Sequence, residues 1–94
     1  MTTERKNELS GISKGIETLK AQMEEFKERL QSLYEDEDDE FHARTDRHND
    51  SIGYEAAEET CFALYQAEYY LGTAIGDIET ALEQIESAVD YSQQ

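Results

Sequence analysis

A thiol and two imidazoles form one combination of residue types in this 94-residue chain that could support nucleophilic catalysis. Cys61 with His42 or His48 would suggest a nucleophile and its base. A reactive thiolate needs an electropositive site, whereas Cys61 falls in an apolar row of an acid-rich segment, where cysteine behaves as a small hydrophobic residue. The sequence therefore predicts a structural cysteine and a protein that is not an enzyme.

Six consecutive carboxylates form a second candidate site, which could bind a divalent cation loosely together with the two histidines. The six residues, called the acidic block, are Glu35, Asp36, Glu37, Asp38, Asp39 and Glu40. The block lacks the Asp-x-Asp-x-Asp-Gly order of a calcium loop. Gly72 and Gly76 lie inside a helical repeat and do not form a phosphate-binding loop. We expect no cofactor and no specific metal site, with loose cation binding as a third hypothesis for function.

Two apolar repeats flank the acidic block, and both advance in alternating steps of three and four residues. That spacing places the apolar side chains on one side of an α-helix. The first repeat is Leu9, Ile12, Ile16, Leu19, Met23, Phe26, Leu30 and Leu33. The second lies in the segment expected to form the second helix, α2, over about residues 54–91, and is called the α2 stripe. It is Tyr54, Ala57, Cys61, Leu64, Glu68, Leu71, Ile75, Ile78, Leu82, Ile85 and Val89, with Ala67, Ala74, Ala81 and Ala88 just outside it. Both repeats are expected to form the core or an oligomer contact.

The two repeats predict an all-α fold in which a single domain over residues 1–94 forms two long antiparallel helices. We expect a coiled-coil-like helical hairpin with helix 1 over about 3–34, an acidic connection over about 35–53, and helix 2 over about 54–91. A longer version continues helix 1 to residue 48, because Tyr34, Phe41 and His48 keep a shifted stripe. We favour this version, since it divides the chain into two near-equal halves around residue 50. The turn then lies near residue 50. A turn near residue 43, by contrast, would bring Gly15 close to Gly72. Two helices bury only a thin core, so we expect a homodimer that forms a four-helix bundle.

Glu68 is the one acidic member of the α2 stripe. A buried carboxylate needs a partner, which Lys20, Lys27 or Arg29 of helix 1 could supply. In that case Glu68 would set the register of the helices by disfavouring other alignments. The alternative is that this part of the stripe is exposed to solvent.

The charge of the chain is strongly negative and unevenly distributed. It carries 23 acidic and 8 basic residues, for a net charge of -15, and residues 51–94 contain acids but no base. This balance argues against direct binding to nucleic acid or anionic membranes and favours a basic protein partner. No apolar run is long enough for a membrane span, and the first residues lack the apolar core of a signal peptide. We expect a cytoplasmic protein.

A second stripe of helix 2 lies about 100° around the helix from the apolar one. Its last four acids advance by about 4.5 to 6 Å per step, which is of the order of the phosphate spacing along a nucleic-acid strand. We expect the charged and aromatic members of this stripe to bind the partner: Glu55, Glu58, Phe62, Tyr65, Tyr69, Glu79, Glu83, Glu86 and Asp90. The alternative is that the acids are merely solvated and the aromatic residues form a second packed face.

The acidic block and the four carboxylates from Glu79 to Asp90 make this short helical chain resemble the small acidic inhibitors with which phages and mobile elements block host defence. That class includes nucleic-acid mimics directed at restriction enzymes and some anti-CRISPR proteins. The resemblance implies a non-enzymatic inhibitor that binds the basic nucleic-acid groove of a host effector, in the host cytoplasm if the protein is phage-encoded. The alternative is a structural or adaptor coiled coil that oligomerises and docks a partner helix on Leu71, Ile78 or Ile85.

Overall fold

Two long helices that pack against each other make up the protein. The computed structural model describes the backbone of residues 1–47 and 51–93 and the side chains of residues 1–43 and 53–93. Helix α1 spans Thr3–Arg47 and helix α2 spans Ser51–Ser92. The hairpin measures 67 × 16 × 14 Å, and a straight helix of the length of α1 would be about 67 Å long at about 1.5 Å per residue. The expected all-α helical hairpin is confirmed.

The two outer helix ends are closed by local hydrogen bonds. At the start of α1, the backbone N–H of Arg5 donates to Oγ1 of Thr2 at 3.2 Å, which is the usual arrangement of an N-cap threonine. At the end of α2, the hydroxyl of Ser92 donates to the carbonyl oxygen of Val89 at 2.7 Å. The last turn of α2 contains no basic residue, so no side-chain charge compensates the negative end of the helix dipole.

Helix α1 continues through the acidic block. The acidic connection expected over residues 35–53 is therefore wrong over 35–47 and 51–53, which are helical, and a turn near residue 43 is excluded. The longer interpretation of helix 1 is confirmed as far as Arg47. The alternative turn near residue 50 and His48 lie outside the described residues. Like charges three or four residues apart in the block cost a helix a few tenths of a kcal/mol per pair. Tyr34 and Phe41, which flank the block, gain aromatic contacts with α2.

The register between the helices is set along one side of the hairpin. Three contacts define it: Lys20 with Glu79, Lys27 with Gly72, and Tyr34 with Tyr65. From Lys20 to Tyr34, each step of seven residues along α1 matches a step of seven residues back along α2, so the helices are antiparallel and keep one register over this part. Gly72 consequently faces Lys27, and the juxtaposition of Gly72 with Gly15 is wrong.

The α2 stripe faces α1 along the hairpin. Its members from Ala57 to Val89 are buried or half-buried, and Cys61 and Ile75, with 9% and 8% exposure, are the buried apolar residues of the described part. The half-buried residues on the side of α1 that faces this stripe recur at steps of three and four: Lys6, Leu9, Ser13, Ile16, Lys20, Met23, Lys27, Leu30, Tyr34, Glu37 and Phe41. The core is therefore thin, as the length of the hairpin predicts.

Half of the apolar repeat expected in the core of α1 is exposed in the hairpin. These residues, called the α1 outer row, are Ile12, Leu19, Phe26 and Leu33, and they expose 47–54% of their surface. The reason is geometric: from Leu9, the residue three positions on is rotated about 60° one way around the helix, and the residue four positions on about 40° the other way. Helix α2 packs on the side of the second set, which leaves the outer row uncovered.

Candidate functional site

The residues expected to bind a partner lie together on one exposed side of the hairpin. This surface, called the acidic-aromatic face, consists of Glu55, Glu58, Phe62, Tyr65, Tyr69, Glu79, Glu83, Glu86 and Asp90, all exposed. Phe62, Tyr65 and Tyr69 expose 64%, 51% and 59% of their surface. Tyr65 contacts Tyr34 of α1, whereas Phe62 and Tyr69 make no ring contact with the described part of α1. Helix α1 therefore does not cover the three rings as a second packed face.

Lys20 neutralises the first carboxylate in the row of four acids near the end of α2, which runs from Glu79 to Asp90. Its ammonium lies 3.2 Å from Oε1 of Glu79 and 3.7 Å from Oε1 of Glu24. The hydrogen bond to Glu79 is the main cause that raises the pKa of Lys20. Glu83, Glu86 and Asp90 make no ion pair with any residue that the structure describes. The uncompensated negative charge of this row therefore begins at Glu83, which sequence reasoning missed because the partner of Glu79 depends on the register.

The aromatic part of the face borders a shallow groove between the helices. The rings of Tyr65 and Tyr34 have centroids 6.0 Å apart and are inclined by 53°. Six residues line the groove: Lys27, Tyr65, Glu68, Tyr69, Gly72 and Thr73. The charge of Asp38, together with burial, raises the pKa of Tyr34. The groove combines aromatic walls with one amine and one carboxylate.

Glu68 lies half-buried in this groove. It is on the border between solvent and the seam, which is the line of contact between the α2 stripe and α1. Lys27 lines the same groove, but the two groups form no ion pair. No buried side-chain nitrogen or oxygen in the described part lacks a hydrogen-bond partner, so Glu68 needs no compensating cation here. Its role in setting the register stays a prediction.

Cys61 lies in the seam beneath the acidic block. Burial is the main cause that raises the pKa of its thiol, and the charges of Asp38 and Glu37 raise it further. Both effects disfavour the thiolate, which is the nucleophilic form. Cys61 is thus placed as an apolar packing residue.

The acidic block does not form one flat patch. Six successive residues turn through about 500° around a helix, and Glu37 and Asp38 are half-buried while the other four are exposed. Nδ1 of His42 lies 2.8 Å from the backbone oxygen of Asp38 and 3.6 Å from its Oδ2, within the same helix. Across the residues that the structure describes, no three His, Cys, Asp or Glu side chains are grouped so that they could hold a metal ion.

The chain matches no family model, and comparison with curated proteins and with solved structures gives no match. Over the described residues, neither helix has an apolar stretch long enough to cross a membrane. A functional interpretation therefore depends on the geometry and charge of the hairpin.

Proposed function

We propose that this protein is a non-enzymatic inhibitor whose acidic-aromatic face binds a basic, nucleic-acid-binding partner in competition with nucleic acid. The observation that carries the proposal is the exposed line on α2, in which the aromatic residues Phe62, Tyr65 and Tyr69 are followed by Glu83, Glu86 and Asp90. These three acids form no ion pair within the part of the chain that the structure describes. Phage anti-defence proteins of the nucleic-acid mimic or anti-CRISPR type are the class that such a surface fits.

The electrostatic support comes from the spacing and rigidity of the acids. Successive carboxylates of this row rise by about 4.5 to 6 Å along the helix, a spacing that a groove built for phosphates could accept. Because one continuous helix carries them, little backbone entropy is lost when they are aligned with a row of cations. A net charge of -15 further speeds the encounter with a basic surface.

The local stability of α2 would improve without these acids. Asp90 lies in the last helical turn, where a negative charge opposes the helix dipole by about 0.3 to 1 kcal/mol. Glu83 and Glu86 are three residues apart, and Glu86 and Asp90 are four apart, so each pair repels by a few tenths of a kcal/mol. A basic partner that neutralises the row would turn these unfavourable interactions into favourable ones.

The aromatic residues of the face supply a contact that salt does not screen. Tyrosine and phenylalanine are enriched in protein interfaces, because they bury a large area while fixing few torsion angles. We expect the acids to control the association rate and its salt dependence, and the rings of Phe62, Tyr65 and Tyr69 to limit dissociation.

The test is capture of proteins from a bacterial lysate on the immobilised protein at low and at high salt, followed by competition. We expect a nucleic-acid-binding protein that elutes with salt and that the free hairpin displaces from its DNA or RNA. The triple variant Glu83→Gln, Glu86→Gln and Asp90→Asn should bind this protein at least about tenfold more weakly, with a shallower salt dependence.

A matched control removes three acids from the far side of α1, through Glu4→Gln, Glu8→Gln and Glu25→Gln, all at exposed positions. It changes the net charge by the same amount, so it should leave the affinity within about twofold of the original if the position of the acids matters more than their number. Tight binding by the first triple variant, or a captured protein that still holds its nucleic acid, would refute the proposal.

The adaptor alternative meets an obstacle in the seam. Leu71, Ile78 and Ile85, the residues on which a partner helix was expected to dock, are half-buried against α1. A partner helix would have to displace α1 before it could reach them. A complex that is insensitive to salt and forms together with separation of the two helices would favour the adaptor.

A further inference from the structure

The side of the hairpin opposite the acidic-aromatic face is apolar. Helix α1 contributes the α1 outer row, and helix α2 contributes the alanine row, which consists of Ala67, Ala74, Ala81 and Ala88. When each helix of an antiparallel pair is viewed along its own N-to-C direction, residues displaced from the seam in the same rotational sense lie on the same side of the pair. Lys20 and Glu79, which touch, are rotated one way, while the outer row and the alanine row are both rotated the other way. Together the two rows form what we call the apolar face.

The two rows are matched in the size of their side chains and in level, which is the position along the long axis of the hairpin. The register places each large residue beside an alanine, to within about one residue along the axis. The four pairs are Ile12 with Ala88, Leu19 with Ala81, Phe26 with Ala74, and Leu33 with Ala67. Every level of the apolar face therefore presents one bulky and one small side chain, next to each other.

The apolar face is almost free of charge in a chain whose net charge is -15. Between its first and last levels, the residues that flank it on the outside are Gly15, Gln22 and Arg29 on α1 and Tyr70, Asp77 and Gln84 on α2. Of these only Arg29 and Asp77 are charged, and their charges are opposite. Glu8 and Asp36 of α1 flank the two ends of the face. The guanidinium of Arg29 lies 5.8 Å from the centroid of the Phe26 ring, where it shields one edge of the face.

We propose that the apolar face binds the apolar face of a second copy, with a two-fold axis parallel to the long axis of the hairpin. This rotation places α1 of one copy over α2 of its partner at unchanged levels, so each large side chain of the α1 outer row packs on an alanine of the other copy. All neighbouring helices are then antiparallel, and the assembly is a four-helix bundle. A second copy is the occupant because this one operation satisfies every large-to-small match at once, and because two copies of such an acidic chain can approach only where charge is absent.

The area of the face is sufficient for a stable dimer. The four levels span about 32 Å along the axis, and two adjacent helices are about 20 Å wide, which gives about 640 Å² per copy and about 1,300 Å² in total. That total lies within the range of about 1,200 to 2,000 Å² for specific interfaces. The dimer also leaves both acidic-aromatic faces on the outside, so this proposal stands or fails independently of the proposed function.

Sedimentation equilibrium of two matched phenylalanine variants tests the choice of face. Phe26 lies on the apolar face and exposes 52% of its surface, whereas Phe62 lies on the acidic-aromatic face and exposes 64%. The unchanged protein should sediment at twice the 10.8 kDa mass of the chain. Phe26→Lys should weaken dimerisation at least about 30-fold, as expected for an interface hot spot. Phe62→Lys, which changes the charge equally, should remain dimeric.

A size exchange tests the arrangement. Leu19→Ala and Ala81→Leu should each weaken the dimer, the first by leaving a cavity and the second by a clash, and the double variant should recover most of the affinity. Circular dichroism of each variant checks that the helices are intact, and if Phe26→Lys unfolds, the exchange pair replaces it. A monomeric unchanged protein, dissociation by Phe62→Lys in place of Phe26→Lys, or a double variant no better than the worse single variant would overturn the proposal.

Discussion

Replacing Gly76 by alanine should stabilise the protein, and the gain can be worked out from the structure. Gly76 lies inside α2 on an exposed surface, and no described glycine has a positive φ. A Cβ atom built at Gly76 would meet nothing within 4 Å. The substitution therefore adds no clash, and it removes the excess conformational freedom of a helical glycine.

The expected magnitude is the difference in helix propensity between glycine and alanine, about 0.8 to 1 kcal/mol. For a domain of this size, that gain raises the melting temperature by about 4 to 8 °C. Gly72→Ala is the internal comparison, because its new Cβ would lie 3.3 Å from Cε of Lys27. The flexible end of that lysine must move by a few tenths of an ångström, so Gly72→Ala should gain less.

Urea unfolding followed by far-UV circular dichroism, at one protein concentration for all variants, measures the effect. The midpoint for Gly76→Ala should rise with an unchanged slope, and the reverse substitution Ala63→Gly, at an exposed position of the same helix, should lower it by a similar amount. A midpoint for Gly76→Ala at or below that of the original protein would refute the reasoning, as would a larger gain from Gly72→Ala.

Three further outcomes follow from the seam and the charges. Ile75→Ala should lower the free energy of unfolding by about 2 to 3 kcal/mol in the same urea assay, the low end of the usual range because the thin seam can collapse; a loss below about 1 kcal/mol would mean that Ile75 is not a core residue. Cys61, Tyr34 and Lys20 have raised pKa values in the folded protein, so the folded state holds these protons more tightly. Their contribution to the free energy of unfolding is complete below the ordinary cysteine pKa of 9.0, and it is lost as the pH rises through their pKa values in the folded protein. The urea concentration at the unfolding midpoint should therefore decrease as the pH is raised from neutral to above 10.5. An increase of the midpoint over this pH range would contradict the reasoning. Added salt should raise the midpoint by screening the repulsion in the acidic block at residues 35–40; a decrease would indicate that attractive ion pairs dominate.

The exposed acids and rings of α2 illustrate how much of the candidate site can be predicted from sequence. Periodicity alone placed Phe62, Tyr65 and Tyr69 on one line with Glu83 and the later acids, because position around a helix follows directly from residue number. It could not predict that Lys20 pairs with Glu79, since that contact depends on how far one helix is shifted along the other. The helical state of the acidic block was likewise ambiguous, because weak local repulsion competed with aromatic packing that needs α2.

The sequence by itself determined that the chain forms two amphipathic helices and which residues share a row, since both properties depend on the fixed rotation of about 100° per residue. It also determined the sign of the charge and its concentration in the second half. Only the tertiary structure decided which of the two apolar rows of α1 meets the α2 stripe. That choice leaves Ile12, Leu19, Phe26 and Leu33 uncovered beside the alanine row, because contact between helices depends on register and on the side of approach, and neither is encoded in the period of a single helix.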